Sequence, residues 1–450
     1  MNVVARLGTG NRTSTAVTGA FRWVPAYICI ALILLPIDWF APTGYVFREF
    51  GARPATLLLT IGGLFGLLQR PRDDVHAKFE NRVWHCFLAL MACNGLAFGV
   101  NLLGGFSFVP SARSPWSQFA AQSTLVVAGF ITIVGNARLF SRVEAITVVN
   151  RYLPAAAAVH LAVWSLEVLF PSVMQGILSP FRSGGISLER ATGLHTEPSH
   201  YGTMAALFSV PLFLIGGRKH RIRRYLLGAG LLASALFIVA KTAIVVAAAQ
   251  VAYVVITSKR AKTVPLLLLA LLAGGGLYAI QTRAALDVEE NLSSAMRLGS
   301  SHLAANVAVD GYGLVGVGAG QFHFFYNEAN APAYLLFSEE ALEQMSPTAS
   351  GRASTYNLFL RVLIEFGVTG FLLLVYGLLR LLRAGASAKL LTARLMLVGS
   401  LGFLTTQDTY VFPPLMFACA VLLSHQRRFA GGAAPILSTR LGRSIVSPKK

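Results

Sequence analysis

The chain has few charged residues: Asp, Glu, Lys and Arg together make up 13% of its 450 residues, whereas 55% are hydrophobic. A soluble globular domain carries about 25% charged residues, so this composition excludes an ordinary soluble protein. The length leaves room for many membrane spans, because each needs only about 20 mostly apolar residues. The composition therefore predicts an all-α, polytopic membrane protein.

Cysteine is also scarce, with four residues in the chain. All four lie in apolar runs, at Cys29, Cys86, Cys93 and Cys419. They are expected to be small core side chains, and they indicate neither a disulfide framework nor a zinc site. The sequence also lacks a convincing internal repeat of the kind that marks inverted-repeat transporters, which weakens the case for a pump.

Apolar runs predict about twelve transmembrane helices, with a long outer loop between spans 9 and 10. The predicted spans are 24–40, 54–68, 83–103, 117–134, 152–170, 201–215, 225–240, 242–256, 264–280, 356–379, 390–404 and 411–423. Two outer segments are long, 171–200 and 281–355, and the aromatic residues of the second predict a packed element rather than a linker. We therefore expect a single polytopic membrane domain over residues 23–426.

The net charge of +19 raises the question of nucleic-acid binding. Most of the 38 Lys and Arg residues lie in alternate segments between spans and in the two termini, as the positive-inside rule requires. This pattern predicts an even number of spans with both termini in the cytoplasm, and nucleic acid is not an expected partner. Residues 1–22 and 427–450 are predicted to be disordered cytoplasmic tails, and the first apolar run a retained signal anchor.

The segment just before the sixth predicted span brings a guanidinium, a carboxylate and two imidazoles together in a largely apolar chain. Pro198 suits the first turn of a helix, so a helix is predicted to begin there with Glu197 at its positive end. Alternatively, Glu197 only caps this helix and pairs with Arg190. The spacing of His195, Glu197 and His200 lacks the i, i+4 pattern of a helical metal site, so no metal is expected.

Lys241 interrupts an apolar run that extends from residue 225 to residue 256. One long helix would bury its ammonium group at a cost of several kcal/mol, whereas two shorter helices would turn near it and place it on the outer side. The alternation of sides requires two helices. Lys241 would then either bind an anion or extend towards lipid headgroups. The glycine-rich run 316–320 lacks a βαβ context, so it predicts a tight turn rather than a dinucleotide site.

Sparse arginines in glycine-rich outer loops suit a phosphate or diphosphate, because a guanidinium group matches phosphate oxygens in pairs. Arg190 and Arg297 are the leading candidates, and Arg352 is a further outer cation. The alternative for each arginine is a structural pair with a nearby acid, such as Glu189 or Asp310, or with a lipid phosphate.

Several separated stretches resemble the motifs of one family. The run Arg190-x-x-Gly193-x-x-x-Glu197-Pro198-Ser199 resembles a motif of bacterial exopolysaccharide polymerases of the Wzy type, in the superfamily that also contains the O-antigen ligases.

Three later stretches extend the resemblance over about the second half of the chain. The pair Lys241-Thr242 is similar to the Ser-Arg-Thr opening of a superfamily span, with lysine in place of arginine. Arg297 followed by residues 310–322 is similar to the arginine and Gly-Val-Gly segment of the long periplasmic loop. Residues 356–370 resemble the segment that re-enters the membrane after that loop.

The resemblance implies a membrane glycosyltransferase of the bacterial inner membrane that polymerises undecaprenyl-diphosphate-linked oligosaccharide repeat units at the periplasmic face. It implies that Arg190, Lys241 and Arg297 hold the diphosphate, and that no metal or other cofactor is needed. Membrane lipid, a chain-length regulator and a flippase are the expected partners.

The resemblance leaves the base that activates the acceptor hydroxyl open. Glu197 leads through its place in the motif, and the histidines at 195, 200 and 302 are the other outer candidates. These three histidines, together with Arg352, Tyr356 and Asn357, are also expected to bind diphosphate or sugar. Ligases are expected to carry a functional histidine where this chain has Tyr356, which favours a polymerase. Ligase-like transfer to a separate acceptor and a lipid-linked oligosaccharide flippase are the alternatives.

Overall fold

The computed structural model describes residues 21–43, 52–69, 74–103, 114–181, 191–195, 197–215, 220–238, 240–257, 292–325, 355–383 and 388–430. These residues form helices joined by turns and short irregular segments, with no β-strand among them. The helices are α1 (Val24–Leu34), α2 (Pro54–Leu68), α3 (Asp74–Leu103), α4 (Pro115–Phe140), α5 (Ala145–Leu169), α6 (Pro171–Leu178), α7 (Pro198–Leu214), α8 (Arg221–Phe237), α9 (Lys241–Thr257), α10 (Leu292–Val307), α11 (Leu358–Arg383), α12 (Leu391–Phe403) and α13 (Pro413–Ala430).

Four of the described helices are long and apolar enough to cross a membrane: Glu80–Leu103, Pro115–Phe140, Ala145–Leu169 and Leu358–Arg383. Shorter apolar helices accompany them. The architecture is therefore that of an all-α membrane protein, as the composition predicts. The ninth predicted span, 264–280, lies outside the described residues, and each other predicted span overlaps a helix. The number of crossings and the side on which each end lies remain predictions.

Several predicted boundaries change in the structure. The break near Lys241 is confirmed, because α8 ends at Phe237 and α9 begins at Lys241. The segment 171–200 is not a loop throughout, since it contains α6 and the first turn of α7. The predicted C-terminal tail begins too early, because α13 continues to Ala430. Of the two predicted tails, residues 1–20 and 431–450 lie outside the described residues.

The described part of the long segment 281–355 packs against the rest of the protein. Helix α10 lies in it, and the side chains of Phe322 and Phe324 are buried. The prediction of a packed element is confirmed for these residues.

Proline begins several helices, because its fixed φ fits the first helical turn and its missing N–H has no partner there anyway. Helices α2, α4, α6, α7 and α13 all start in this way. Helix α7 lies at the centre of the core, and every residue from Tyr201 to Leu212 is buried. The motif that precedes α7 is thus attached to a largely buried helix.

Helices α2 and α4 approach closely because glycine lines their contact. A Cβ atom added to Gly63 would lie 2.8 Å from the Thr132 Cα atom, and one added to Gly66 would meet the backbone of Gly135. Small residues permit such backbone contact between membrane helices. Asn136 strengthens it by donating to the Leu59 carbonyl oxygen at 2.6 Å.

Helix α11 is broken at Gly367, whose φ of 70° and ψ of 179° are not helical. The backbone N–H groups of Val317 and Gly318 donate to the carbonyl oxygens of Ile364 and Glu365, each over 2.8 Å. The run 316–320 is therefore a turn, as predicted, and it packs directly against the break in α11.

Candidate functional site

A buried carboxylate fixes the loop that carries the motif. Glu167, near the end of α5, accepts hydrogen bonds on Oε2 from the backbone N–H of Thr192 at 2.9 Å and of Gly193 at 2.7 Å. Gly193 has a φ of 60°, which favours glycine. Successive N–H groups that converge on one carboxylate form a stable anion nest. The motif loop is thus anchored to α5 before the chain enters α7.

Glu197 occupies the residue before α7 but does not cap it. Its backbone is extended, and its side chain makes no capping hydrogen bond. Its Oε2 instead accepts a hydrogen bond from the Ser199 hydroxyl at 3.0 Å, and the side chain is 51% exposed. The capping alternative is therefore wrong for the side chain. Arg190, its proposed partner in that alternative, lies outside the described residues.

His200 is paired with a residue that the sequence analysis did not identify. Its Nδ1 atom lies 2.5 Å from Asp38 Oδ2, and its Nε2 atom lies 4.0 Å from Glu197 Oε2. Asp38 follows α1, near the end of the first predicted span, and is 10% exposed at its side chain. A carboxylate at the end of an apolar run in a chain with 19 acidic residues was the available signal.

His195 lies beneath the surface rather than on it. Its side chain is fully buried, with Nδ1 3.9 Å from Asp38 Oδ1 and the ring against Tyr201. Burial lowers its pKa to about 3, so the imidazole is neutral. The expectation that His195 binds substrate directly does not fit this position, because protein atoms surround the ring.

Lys241 and Thr242 lie beside the motif. Thr242 donates from Oγ1 to the Ser199 carbonyl oxygen at 3.3 Å, and its Oγ1 lies 2.9 Å from Thr203 Oγ1. Helices α7 and α9 therefore begin side by side, with the exposed Lys241 at the first position of α9. The N-terminus of a helix carries partial positive charge, so this corner favours an anion.

Arg297 faces the same region from α10. Ser301, one turn further along that helix, donates to the Thr355 carbonyl oxygen at 3.5 Å. Burial raises the pKa of the neighbouring Tyr356 phenol. The carboxylates of Asp408 and Glu197 raise it further, whereas the Arg297 guanidinium lowers it. Arg297 and Glu197 therefore both act electrostatically on Tyr356.

Two other predicted residues, His302 and Asn357, are not brought into this group. His302 lies five residues after Arg297, a rotation of about 140° around an α-helix, and its side chain is exposed on another face. Asn357 caps α11, because its Oδ1 accepts from the backbone N–H of Phe359 at 3.0 Å and of Leu360 at 3.2 Å. Arg352 lies outside the described residues.

A buried cluster of polar side chains, centred on Arg361, adjoins the site. Arg361 donates to Glu365 Oε1 at 3.2 Å, to the Asp408 carbonyl oxygen at 2.7 Å and to Gln122 Oε1 at 2.9 Å. The guanidinium lies over the Tyr410 ring at 4.2 Å, and the Tyr410 hydroxyl donates to Glu365. Arg361 is therefore a structural residue.

Asp408 connects this cluster to the site. Its Oδ2 accepts hydrogen bonds from the Thr355 backbone N–H at 3.0 Å and from the Thr355 hydroxyl at 3.1 Å. These contacts hold Tyr356, whose φ of 47° is unusual for a bulky residue. Backbone strain of this kind is stored where the surrounding structure demands one side-chain position.

The resulting group has a carboxylate, a carboxylate-bound imidazole, two cations and a phenol at one end of the helical core. These are Glu197, His200, Lys241, Arg297 and Tyr356. Among the described residues, no group of three His, Cys, Asp or Glu side chains is placed to hold a metal ion. Such a site can bind an anion and accept a proton from a hydroxyl group. The chain matches no protein-family model and no curated protein.

Proposed function

We propose that this protein is a membrane glycosyltransferase that polymerises undecaprenyl-diphosphate-linked oligosaccharide repeat units into an exopolysaccharide, capsule or O-antigen chain. The observation that supports this most is that α7 and α9 begin side by side, so Lys241 and Glu197 lie at the same end of the core, where Arg297 and Glu197 both act electrostatically on Tyr356. The site lies at one end of the membrane helices, where a lipid-linked headgroup would enter it without leaving the bilayer.

The cations and helix starts suit a diphosphate. Lys241 is an exposed point charge at the positive end of α9, and Arg297 offers a planar fork. Arg190 joins them through the family resemblance alone. Fixed positive charge lowers the barrier of a reaction in which a leaving group gains negative charge.

The proposed reaction transfers a glycan between two lipid carriers. A sugar hydroxyl oxygen of one unit forms a bond to the anomeric carbon of the other, and the bond from that carbon to the diphosphate oxygen breaks. The electron pair leaves with the diphosphate, and the hydroxyl proton passes to a base of the protein. The Glu197 carboxylate is exposed, so it is accessible to the acceptor sugar.

Reconstitution of the purified protein in lipid vesicles tests the proposal. Supplied with the diphosphate-linked repeat unit alone, wild-type protein should produce a ladder of multimers. Lys241→Ala and Arg297→Ala should lose the ladder while the protein stays folded in the membrane. Lys389→Ala is the matched control, because Lys389 is 73% exposed and pairs with Glu144 at 4.0 Å.

The outcomes separate the alternatives. Normal ladders from both variants would reject the diphosphate site. Transfer only after a separate acceptor is added would identify a ligase. Movement of the intact lipid-linked unit across the vesicle without a covalent product would identify a flippase. The buried pair of Arg361 and Glu365 is already hydrogen-bonded within the chain: Arg361 donates to Glu365, to the Asp408 carbonyl oxygen and to Gln122. This argues against the pair as the substrate-binding site of a flippase.

A further inference from the structure

We propose that His200 accepts the proton of the acceptor hydroxyl and that Asp38 is the positioning residue that makes it able to do so. This inference rests on the proposed glycosyl transfer. It gives the base, which the motif alone leaves open, to a pair of residues that are 162 positions apart in the sequence.

The contact between Asp38 and His200 selects the tautomer of the ring. A carboxylate only accepts hydrogen bonds, so the 2.5 Å contact requires a proton on His200 Nδ1. The Nε2 atom of the neutral ring then carries a free electron pair. It lies on the side of Glu197, whose Oε2 is 4.0 Å away.

His200 is more exposed than Asp38, as a base that must reach a substrate hydroxyl group requires. The Asp38 side chain is 10% exposed and the His200 side chain 20% exposed, so the carboxylate is more enclosed and the imidazole keeps access to the surface. Phe403 of α12 packs edge-on against the imidazole, with ring centroids 6.0 Å apart. The hydrogen bond to Asp38 and the edge-on packing of Phe403 together fix the position of the imidazole ring.

Several charged or titratable groups surround His200. Asp38, Glu197, Arg53 and His195 act on it electrostatically, and Lys241 begins the adjacent helix α9. Arg53 is also held by the Val411 carbonyl oxygen, to which it donates at 2.9 Å. His195 is neutral, as its lowered pKa requires. The carboxylate of Asp38 is therefore the group that directly contacts the ring.

The chemistry follows from this arrangement. The acceptor hydroxyl gives its proton to His200 Nε2 while its oxygen bonds to the anomeric carbon and the diphosphate leaves with the electron pair. Asp38 stabilises the imidazolium that forms. An imidazole is a stronger base than a carboxyl group by about two pKa units, so it suits this step better near neutral pH. Glu197 then orients the acceptor hydroxyl.

Kinetics of the full-length protein in vesicles test the pair, with initial rates measured from about pH 5 to 9. His200→Gln should lower kcat by about 100-fold or more. Asp38→Asn should lower kcat more than it raises KM. It should also move the acidic limb of the pH profile to lower pH, because a neighbouring carboxylate stabilises the protonated ring. Asp38→Glu keeps the charge and should keep that limb in place.

The matched controls are Asp310→Asn and His85→Gln, whose side chains are exposed and outside the site. Unchanged kcat and pH profile in Asp38→Asn would overturn the inference while leaving the glycosyl transfer intact. A wild-type protein that forms no glycosidic product would instead reject the proposed function, and the pair with it.

A second measurement reads the tautomer directly in the wild-type protein. In wild-type protein labelled with ¹⁵N-histidine, the His200 signal is expected to show a proton on Nδ1 and none on Nε2 at pH values above the raised pKa of the ring, where the imidazole is neutral. Assignment uses the signal lost in His200→Gln. A proton on Nε2 of the neutral ring would overturn the inference, whatever the kinetics.

Discussion

Gly316 and Gly367 meet back to back at the break in α11. A Cβ atom added to Gly316 would lie 2.6 Å from the Gly367 nitrogen, and one added to Gly367 would lie 2.6 Å from the Val315 carbonyl carbon. Their φ angles of 93° and 70° are in the left-handed region. This approach allows the glycine-rich segment to donate hydrogen bonds to carbonyl groups at the break, so the two glycines stabilise one irregular junction inside the protein.

Alanine at either position should destabilise the fold. The left-handed backbone alone costs a residue with a Cβ atom about 1–2 kcal/mol, and the backbone clash adds to this. Gly316→Ala and Gly367→Ala should therefore lower the Tm in detergent. Gly377→Ala is the control, because it lies in the same helix with no atom within 4 Å of an added Cβ. An unchanged Tm in both site variants would contradict the prediction.

Arg361 should matter for stability rather than for substrate binding. Arg361→Ala would leave the buried Glu365 carboxylate without its charge partner, a loss of about 3–5 kcal/mol for a buried pair. Arg361→Lys should also be unstable, since an ammonium group cannot replace the planar fork that reaches several acceptors. Thermal unfolding measures both. Arg383→Ala, at the exposed end of the same helix, should change the Tm little.

The sequence predicts the local features of this protein well, because they depend on neighbouring residues. Proline at position 198 starts a helix, the charge at Lys241 marks a break, and the aromatic residues of the long segment indicate packing. Each depends on a rule that acts over one or two helical turns. The predicted topology also puts Glu197 and Arg297 on one side, and both act electrostatically on Tyr356.

The sequence does not predict the contacts that hold the site. Asp38 reaches His200, Glu167 reaches the motif loop, and Asp408 reaches Thr355 across distances in the chain that no periodic pattern records. In the sequence, each of these acids is only an isolated charge near the end of an apolar run, with nothing nearby to indicate its partner. Their partners are fixed by tertiary packing, so only the fold identifies them.

Alkaline pH should weaken the fold through Tyr410. Burial raises its pKa well above the ordinary value of 10.0, and the neighbouring Glu365 adds to this. The unfolded chain releases the phenol proton near pH 10, whereas the folded chain retains it to higher pH. The stabilisation is therefore complete below about pH 10 and is lost as pH rises towards the folded pKa.

Tm values measured from about pH 8 to 11 check this expectation. Tyr356, whose pKa burial also raises, contributes in the same direction. Tyr410→Phe should have a lower Tm at neutral pH, since it loses the hydrogen bond to Glu365, but a smaller decline above pH 10. An equal decline in both proteins would show that other groups control alkaline unfolding.

Glu167 should control activity through the motif loop. Glu167→Ala would leave the backbone N–H groups of Thr192 and Gly193 buried without their acceptor, and each buried unpaired donor costs about 1–3 kcal/mol. The loop should then leave its position while α5 and α7 persist. Glu167→Gln keeps an acceptor oxygen without the charge, so its effect should be intermediate. Polymer yield should therefore fall in the order wild type, Gln variant, Ala variant, with protease cleavage near the loop rising in the same order.

Glu144→Ala provides the control, because Glu144 is 47% exposed and its contact with Lys389 is 4.0 Å long. Wild-type yield and cleavage in Glu167→Ala would show that the loop holds its position without this carboxylate.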